Sequence, residues 1–229
     1  TNNAIFLTKE DLKSISILKD RFDSIFSSNL SELDKALSLL EDCRLYGTLV
    51  FAHLARSAFI SVSLLKSAVD TKVISPDAMN SFLNAIETIA HDFIKDAKKA
   101  GEDKFFWSTF IDRYGHLRPG TYDITSESYA DNVEKYLRPV VNKTKVTKQD
   151  TSKKINYWLN EKESFFNALL RNGIIENTDT IEKFLRQAIE GREYSKFIFS
   201  RNLSVALDLI SDYGKKIGLN NTQLANVSL

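Results

Sequence analysis

The sequence predicts an all-α protein, a multi-helix bundle with a long buried central helix and one Gly/Pro turn. Apolar residues recur at helical spacing along nearly the whole chain. Eight glycines and three prolines in 229 residues are too few for a turn-rich β-protein, and no segment alternates apolar with polar residues over a strand's length. With 43% hydrophobic and 27% charged residues the composition is that of an ordinary globular chain, long enough for one large domain or two small lobes.

The first helix is expected from Thr8, which forms a capping-box pattern with Asp11, and carries Leu12, Ile15, Leu18, Phe22 and Ile25. A second start lies at Ser31 with Asp34, followed by one stripe from Leu33 to Leu65. Ser75-Pro76 sets a capping hydroxyl before a proline at the first helical position, opening a helix with Phe82, Ile86, Ile89 and Phe93. That helix fades between Lys98 and Asp103, and Phe105 to Tyr114 forms a short aromatic one. Residues 115–125 hold the Gly/Pro turn. The Lys- and Thr-rich stretch 139–152 is expected to be a mobile connection between a lobe at 1–138 and a lobe at 153–229. Helix resumes at Tyr157 and stops at Asn172-Gly173, an αL cap signal. A helix from Asp179 and a final one from Arg192 to Ile217 complete the chain.

Thirty-one Lys+Arg against thirty Asp+Glu leave +1, without the basic excess of a dedicated nucleic-acid binder. A single cysteine, Cys43, excludes an internal disulfide and a Cys-rich zinc site, and fits a reducing, cytoplasmic setting. The opening on Thr1, with Met79 the sole methionine and no signal-peptide pattern, reads as a piece of a longer polypeptide. No phosphate-binding loop, dinucleotide fingerprint, nucleophile elbow or metal-ligating histidine pair occurs, so the chain alone is expected not to bind ATP.

Leu45 to Val69 contains only Arg56 and Lys66 as charged residues. An arginine near the middle of that run disfavours a membrane span, so the run is expected to be buried all round by other helices. His53 and Arg56 then share one face. A buried guanidinium needs an acceptor. Either Arg56 pairs with a core carboxylate such as Asp123, or the two residues line an anion pocket. The turn gathers Arg113, Tyr114, His116, Arg118 and Asp123 around Gly115 and Gly120, and arginine suits bidentate contact with phosphate or carboxylate. A third cluster, Arg192 to Asn202, reads as an amphipathic helix with a basic edge.

The segment Phe110-Ile-Asp-Arg-Tyr-Gly-His-Leu-Arg-Pro-Gly-Thr-Tyr-Asp123 resembles the YGHR-x-PGE-x-D signature of phosphoenolpyruvate synthase-like, PEP-utilising phosphotransferases. It is similar above all to the helical middle domain of the rifampin phosphotransferase type. Residues 46–56 and 192–204 resemble the same region, while Thr121 stands where that family has Glu and Leu117 where it has Arg. The resemblance implies an acceptor-binding domain that works with a nucleotide-binding domain and a swivelling phosphohistidine domain of the same polypeptide. ATP and magnesium belong to the parent protein, and this piece holds no cofactor or metal. It further implies His53, Arg56, Arg113, Tyr114, His116, Arg118 and Asp123 as acceptor-binding residues, with a small-molecule acceptor and neither nucleic acid nor membrane as partner. The alternative is a non-catalytic helical scaffold or protein-interaction domain.

Overall fold

Helical spacing of apolar residues and a set of well-formed caps produce eleven α-helices and no strand among the described residues. The computed structural model describes residues 2–146 and 156–227. They run α1 (Asn2–Ser27), α2 (Glu32–Asp42), a π-helical turn (Cys43–Thr48), α3 (Leu49–Asp70), α4 (Pro76–Asn84) and α5 (Ile89–Glu102). There follow α6 (Lys104–Tyr114), α7 (Val133–Tyr136), α8 (Arg138–Val146), α9 (Tyr157–Arg171), α10 (Thr178–Lys216) and α11 (Asn221–Leu224).

The chain divides into two compact units, and each draws on three stretches of sequence instead of one lobe. Unit 1 comprises Thr1–Ser14, Val50–Ile89 and Asp150–Ser195; unit 2 comprises Ile15–Leu49, Ala90–Gln149 and Lys196–Leu229. The expected connection at 139–152 begins inside α8, where Val141 is buried, and residues 147–155 lie outside the described ones.

Unit 1 is built on a core that includes Leu65, Phe82, Trp158, Phe165, Phe184 and Leu185. Trp158 meets the Phe82 ring at 4.6 Å and Phe165 edge-on at 5.4 Å. The Ser75 hydroxyl accepts from the Ala78 N–H at 3.1 Å, capping α4, while the Glu161 carboxylate takes the Ser75 N–H at 2.6 Å and its hydroxyl at 2.7 Å. That carboxylate therefore ties α9 to the start of α4.

Three expectations are corrected here. The helix opened at Ser75-Pro76 ends at Asn84, and Ile89 and Phe93 belong to the separate α5. Thr8 caps nothing, because α1 already starts at Asn2, and its hydroxyl instead donates to Ser57 Oγ at 3.2 Å. Nor is α3 buried all round: Val50, Leu54, Ser57, Ala58, Ser61, Leu65 and Ala68 are buried, whereas Arg56, Phe59 and Ile60 are exposed. Small residues on the inner face allow close packing, and the Ser61 hydroxyl is satisfied by the Ser57 carbonyl at 2.9 Å. Arg56, Phe59 and Ile60 occupy the outer face.

The helices expected from Asp179 and from Arg192 are one, since α10 runs unbroken through Gly191. A Cβ at Gly191 would lie 2.9 Å from Leu12 and 3.4 Å from Leu54, so the glycine makes room for α1 and α3 without ending its helix.

Unit 2 packs Phe22, Ala36, Leu39, Ala206 and Ile210 into a core. Buried Asp42 accepts from Arg21 Nε at 2.8 Å on both carboxylate oxygens. The Cys43 thiol faces the Phe199 carbonyl at 3.4 Å, and burial pushes it up to about 12, which leaves it unreactive. In the π-helical turn, Gly47 lets α10 approach closely: an added Cβ would sit 2.6 Å from Phe199 Cβ. Gly47→Ala should therefore cost about 1–3 kcal/mol by overpacking, read as a lower denaturant midpoint with an unchanged slope.

Candidate functional site

The Gly/Pro turn is a fixed element of unit 2. It leaves α6 through a C-cap in which the Gly115 N–H bonds the Ile111 carbonyl at 2.6 Å. Two cross-links then hold its first half, from Tyr129 N–H to the Leu117 carbonyl at 2.8 Å and from Ala130 N–H to the Gly115 carbonyl at 2.9 Å.

Arg118 is the anchor of the turn. Its side chain is 4% exposed. Nε donates to Ser204 Oγ at 2.9 Å, and the two terminal nitrogens donate to the Ser126 carbonyl at 2.7 Å and the Ser204 carbonyl at 3.1 Å. The Asp208 carboxylate completes the set. Burial pushes Asp208 upward and outweighs the opposing pull of Arg118. The buried guanidinium expected at position 56 is thus found at position 118, and its carboxylate is Asp208, not Asp123.

Asp123 is exposed and folds back on the turn, its Oδ1 taking the Thr125 N–H at 2.8 Å and the Thr125 hydroxyl at 2.7 Å. Those two donors hold it below the usual carboxylate range. Arg113 forks between Asp96 at 2.7 Å and Asp92 at 2.9 Å, and the buried Tyr114 hydroxyl donates to the same Asp96 oxygen at 3.0 Å. Burial and the neighbouring Asp96 push the Tyr114 phenol upward. Arg113, Tyr114, Arg118 and Asp123 therefore all spend their polar groups on the protein itself.

His116 differs. Nε2 lies 3.2 Å from the Phe197 carbonyl, which fixes the ring hydrogen on that nitrogen. Nδ1 is buried with no hydrogen-bond partner. Burial, aided by the Arg201 guanidinium, pushes the imidazole down to about 4 against the pull of the Phe197 and Arg113 backbones. At neutral pH it is an uncharged ring with one unused acceptor.

His116 and Gly115 line a groove of about 380 Å³ together with Phe22, Asp23, Phe26, Asp112 and Arg201. Phe22 and Phe26 stack at 5.8 Å, and the Arg201 guanidinium lies 4.1 Å from the Phe22 centroid. Arg201 has no carboxylate partner among the described residues, so its fork is free for an anionic ligand. The basic edge at 192–202 thus supplies the groove with Arg201, a role hidden in an ordinary amphipathic pattern. Phe22, Phe26, Asp23 and Asp112 carry no signal at the level of sequence, because only folding brings them together.

His53 and Arg56 belong to unit 1, whereas the five candidates of the turn belong to unit 2. His53 Nδ1 is 3.2 Å from Asp11 Oδ1. Arg56 is exposed and has no ion-pair partner among the described residues, so the expected buried pairing is not made. No family model, curated protein or solved structure matches the chain.

Proposed function

We propose that this chain is the acceptor-binding helical domain of an ATP-dependent, PEP synthase-like phosphotransferase. In this reading it holds a small acceptor for a phosphohistidine carried on another domain of the same polypeptide. The observation that carries the reading is the groove, whose volume suits a small molecule and whose lining includes Gly115 and His116 of the signature-like turn. Arg201 would hold an anionic group of the acceptor, the carboxylates of Asp23 and Asp112 would accept from its hydroxyl or amine groups, and the Phe22–Phe26 shelf would exclude water. Holding the acceptor in line is a large share of what phosphoryl transfer demands. His53, Arg56, Arg113, Tyr114, Arg118 and Asp123 do not line this seat.

The test is steady-state phosphoryl transfer by the parent protein, with ATP and a panel of small hydroxylated and anionic acceptors followed by phosphorus NMR. For the acceptor that turns over, Arg201→Gln should raise KM at least tenfold with the ATP half-reaction unchanged. An unchanged KM overturns the groove as the seat.

A second reading, a non-catalytic helical scaffold, draws on a different observation: four of the five expected site residues of the turn spend their polar groups on partners within the protein. It is favoured if no acceptor turns over and Arg201→Gln changes nothing.

A further inference from the structure

Unit 1 contains an imidazole held by a buried carboxylate, apart from the groove. Asp11 is 8% exposed and lies on α1; His53 lies on α3. At 3.2 Å from Asp11 Oδ1, the His53 Nδ1 must carry the ring hydrogen, since a carboxylate oxygen can only accept. The Asp11 carboxylate is packed in place, one of its oxygens buried with no other partner, so its hold on the ring is geometric and not a passing surface contact. The consequence appears at the far nitrogen. In the uncharged ring Nε2 is then the lone-pair acceptor, bonded to nothing among the described residues, on a side chain that is 32% exposed.

The same helix carries an exposed cation one turn on. Arg56 follows His53 by three residues on the same helix face and is exposed without an ion-pair partner among the described residues. A guanidinium attracts any oxyanion. A lone-pair acceptor next to it does not: it repels a fully deprotonated oxyanion and favours one that brings its own O–H.

We propose that His53 and Arg56 form a binding site for a hydroxyl-bearing anion, with Asp11 as the positioning residue that makes Nε2 an acceptor. Arg56 takes the charged oxygens and Nε2 takes the hydroxyl proton in a hydrogen bond. Hydrogen phosphate and 2-hydroxycarboxylates share this chemistry; sulfate, of the same shape as phosphate, lacks the donor. The inference does not rest on the groove, and the two stand or fall separately.

The probes are inorganic phosphate and sulfate, titrated into the whole chain at pH 8 and constant ionic strength, with the His53 ring followed by NMR. Phosphate should shift the His53 signals saturably at millimolar concentration, with sulfate at least fivefold weaker. Arg56→Gln should weaken both ions at least fivefold. Asp11→Asn, where the ring nitrogens show its amide donating to Nδ1 and the hydrogen on Nε2, should reverse the preference towards sulfate. Should Asp11→Asn fail to fold, the wild-type ring nitrogens decide, because a hydrogen found on Nε2 overturns the proposal. Equal binding of the two ions, or none, overturns it as well.

Discussion

Arg118→Met should destabilise unit 2 by about 3–5 kcal/mol, the largest effect of any substitution in the turn. The methionine fills similar volume, but it leaves the Ser126 and Ser204 carbonyls without their guanidinium donor and frees the Asp208 carboxylate. Two less severe changes separate these contributions. Asp208 is half exposed, its side chain at 49%, so Asp208→Asn should cost under about 1 kcal/mol. Ser204→Ala removes only the hydroxyl that accepts from Nε and should cost about 1 kcal/mol. The order Arg118 far above Ser204 and Asp208 follows if the buried carbonyls set the penalty. Fluorotryptophan labelling gives the measurement, since Trp107 falls in unit 2 and Trp158 in unit 1. The fluorine signal of Trp107 should move to lower denaturant in Arg118→Met. Comparable losses for all three variants would mean that the ion pair, not the carbonyls, sets the cost.

How far the sequence reveals this arrangement depends on whether a feature is local. The caps at Ser31 and Ser75, the aromatic helix before Tyr114 and the glycine exit after Asn172 are decided by neighbours in sequence, and they are found where the pattern puts them. Gly173, at φ +84°, is the left-handed residue that the Asn-Gly signal announces. Features decided by distant packing are misread. α1 extends upstream of Thr8 because Ile5 joins the unit 1 core, which no capping rule can anticipate. α10 survives Gly191 because the missing Cβ is filled by Leu12 and Leu54.

The misplacement of the buried arginine has the same origin. A single arginine in an apolar run suggests burial, yet the run has two faces. Val50, Leu54, Ala58, Leu65 and the serines at 57 and 61 make up the inner one, and the small residues Ser57, Ala58 and Ser61 between the leucines are its sign in the sequence. Arg118 gives no such sign, because its acceptors Ser126, Ser204 and Asp208 are brought to it only by the fold. Among the groove residues, His116 was legible as part of the turn. Arg201 was visible as a basic edge, and the aromatic shelf of α1 was not visible at all.

His116 should make the protein lose about 3 kcal/mol of stability as the pH falls from about 6.5 to about 4. The sign follows from where the proton binds. In the unfolded chain the imidazole takes a proton near its ordinary value of about 6.5. In the folded protein burial holds it down to about 4. Between these values the unfolded state binds the proton and the folded state does not, so acidification favours unfolding. Above the window both states are neutral and the stability is fully present; below it both are charged and no more is lost on this account. Several carboxylates also titrate near the acid end, among them Asp123 and Glu182, both held low, and Asp208, pushed up. The comparison that isolates the imidazole is therefore the difference between wild type and His116→Gln. The glutamine amide can still donate to the Phe197 carbonyl, as Nε2 does at 3.2 Å, but it cannot be protonated in this range. Denaturant unfolding at a series of pH values should give two curves that hold a constant offset above about pH 6.5, with wild type dropping relative to the variant by about 3 kcal/mol towards pH 4. Direct NMR titration of the His116 ring supplies the second measurement, with a midpoint near 4. Parallel curves, with a ring that titrates near 6.5, would mean that His116 stands in water and that its place in the groove wall is wrong.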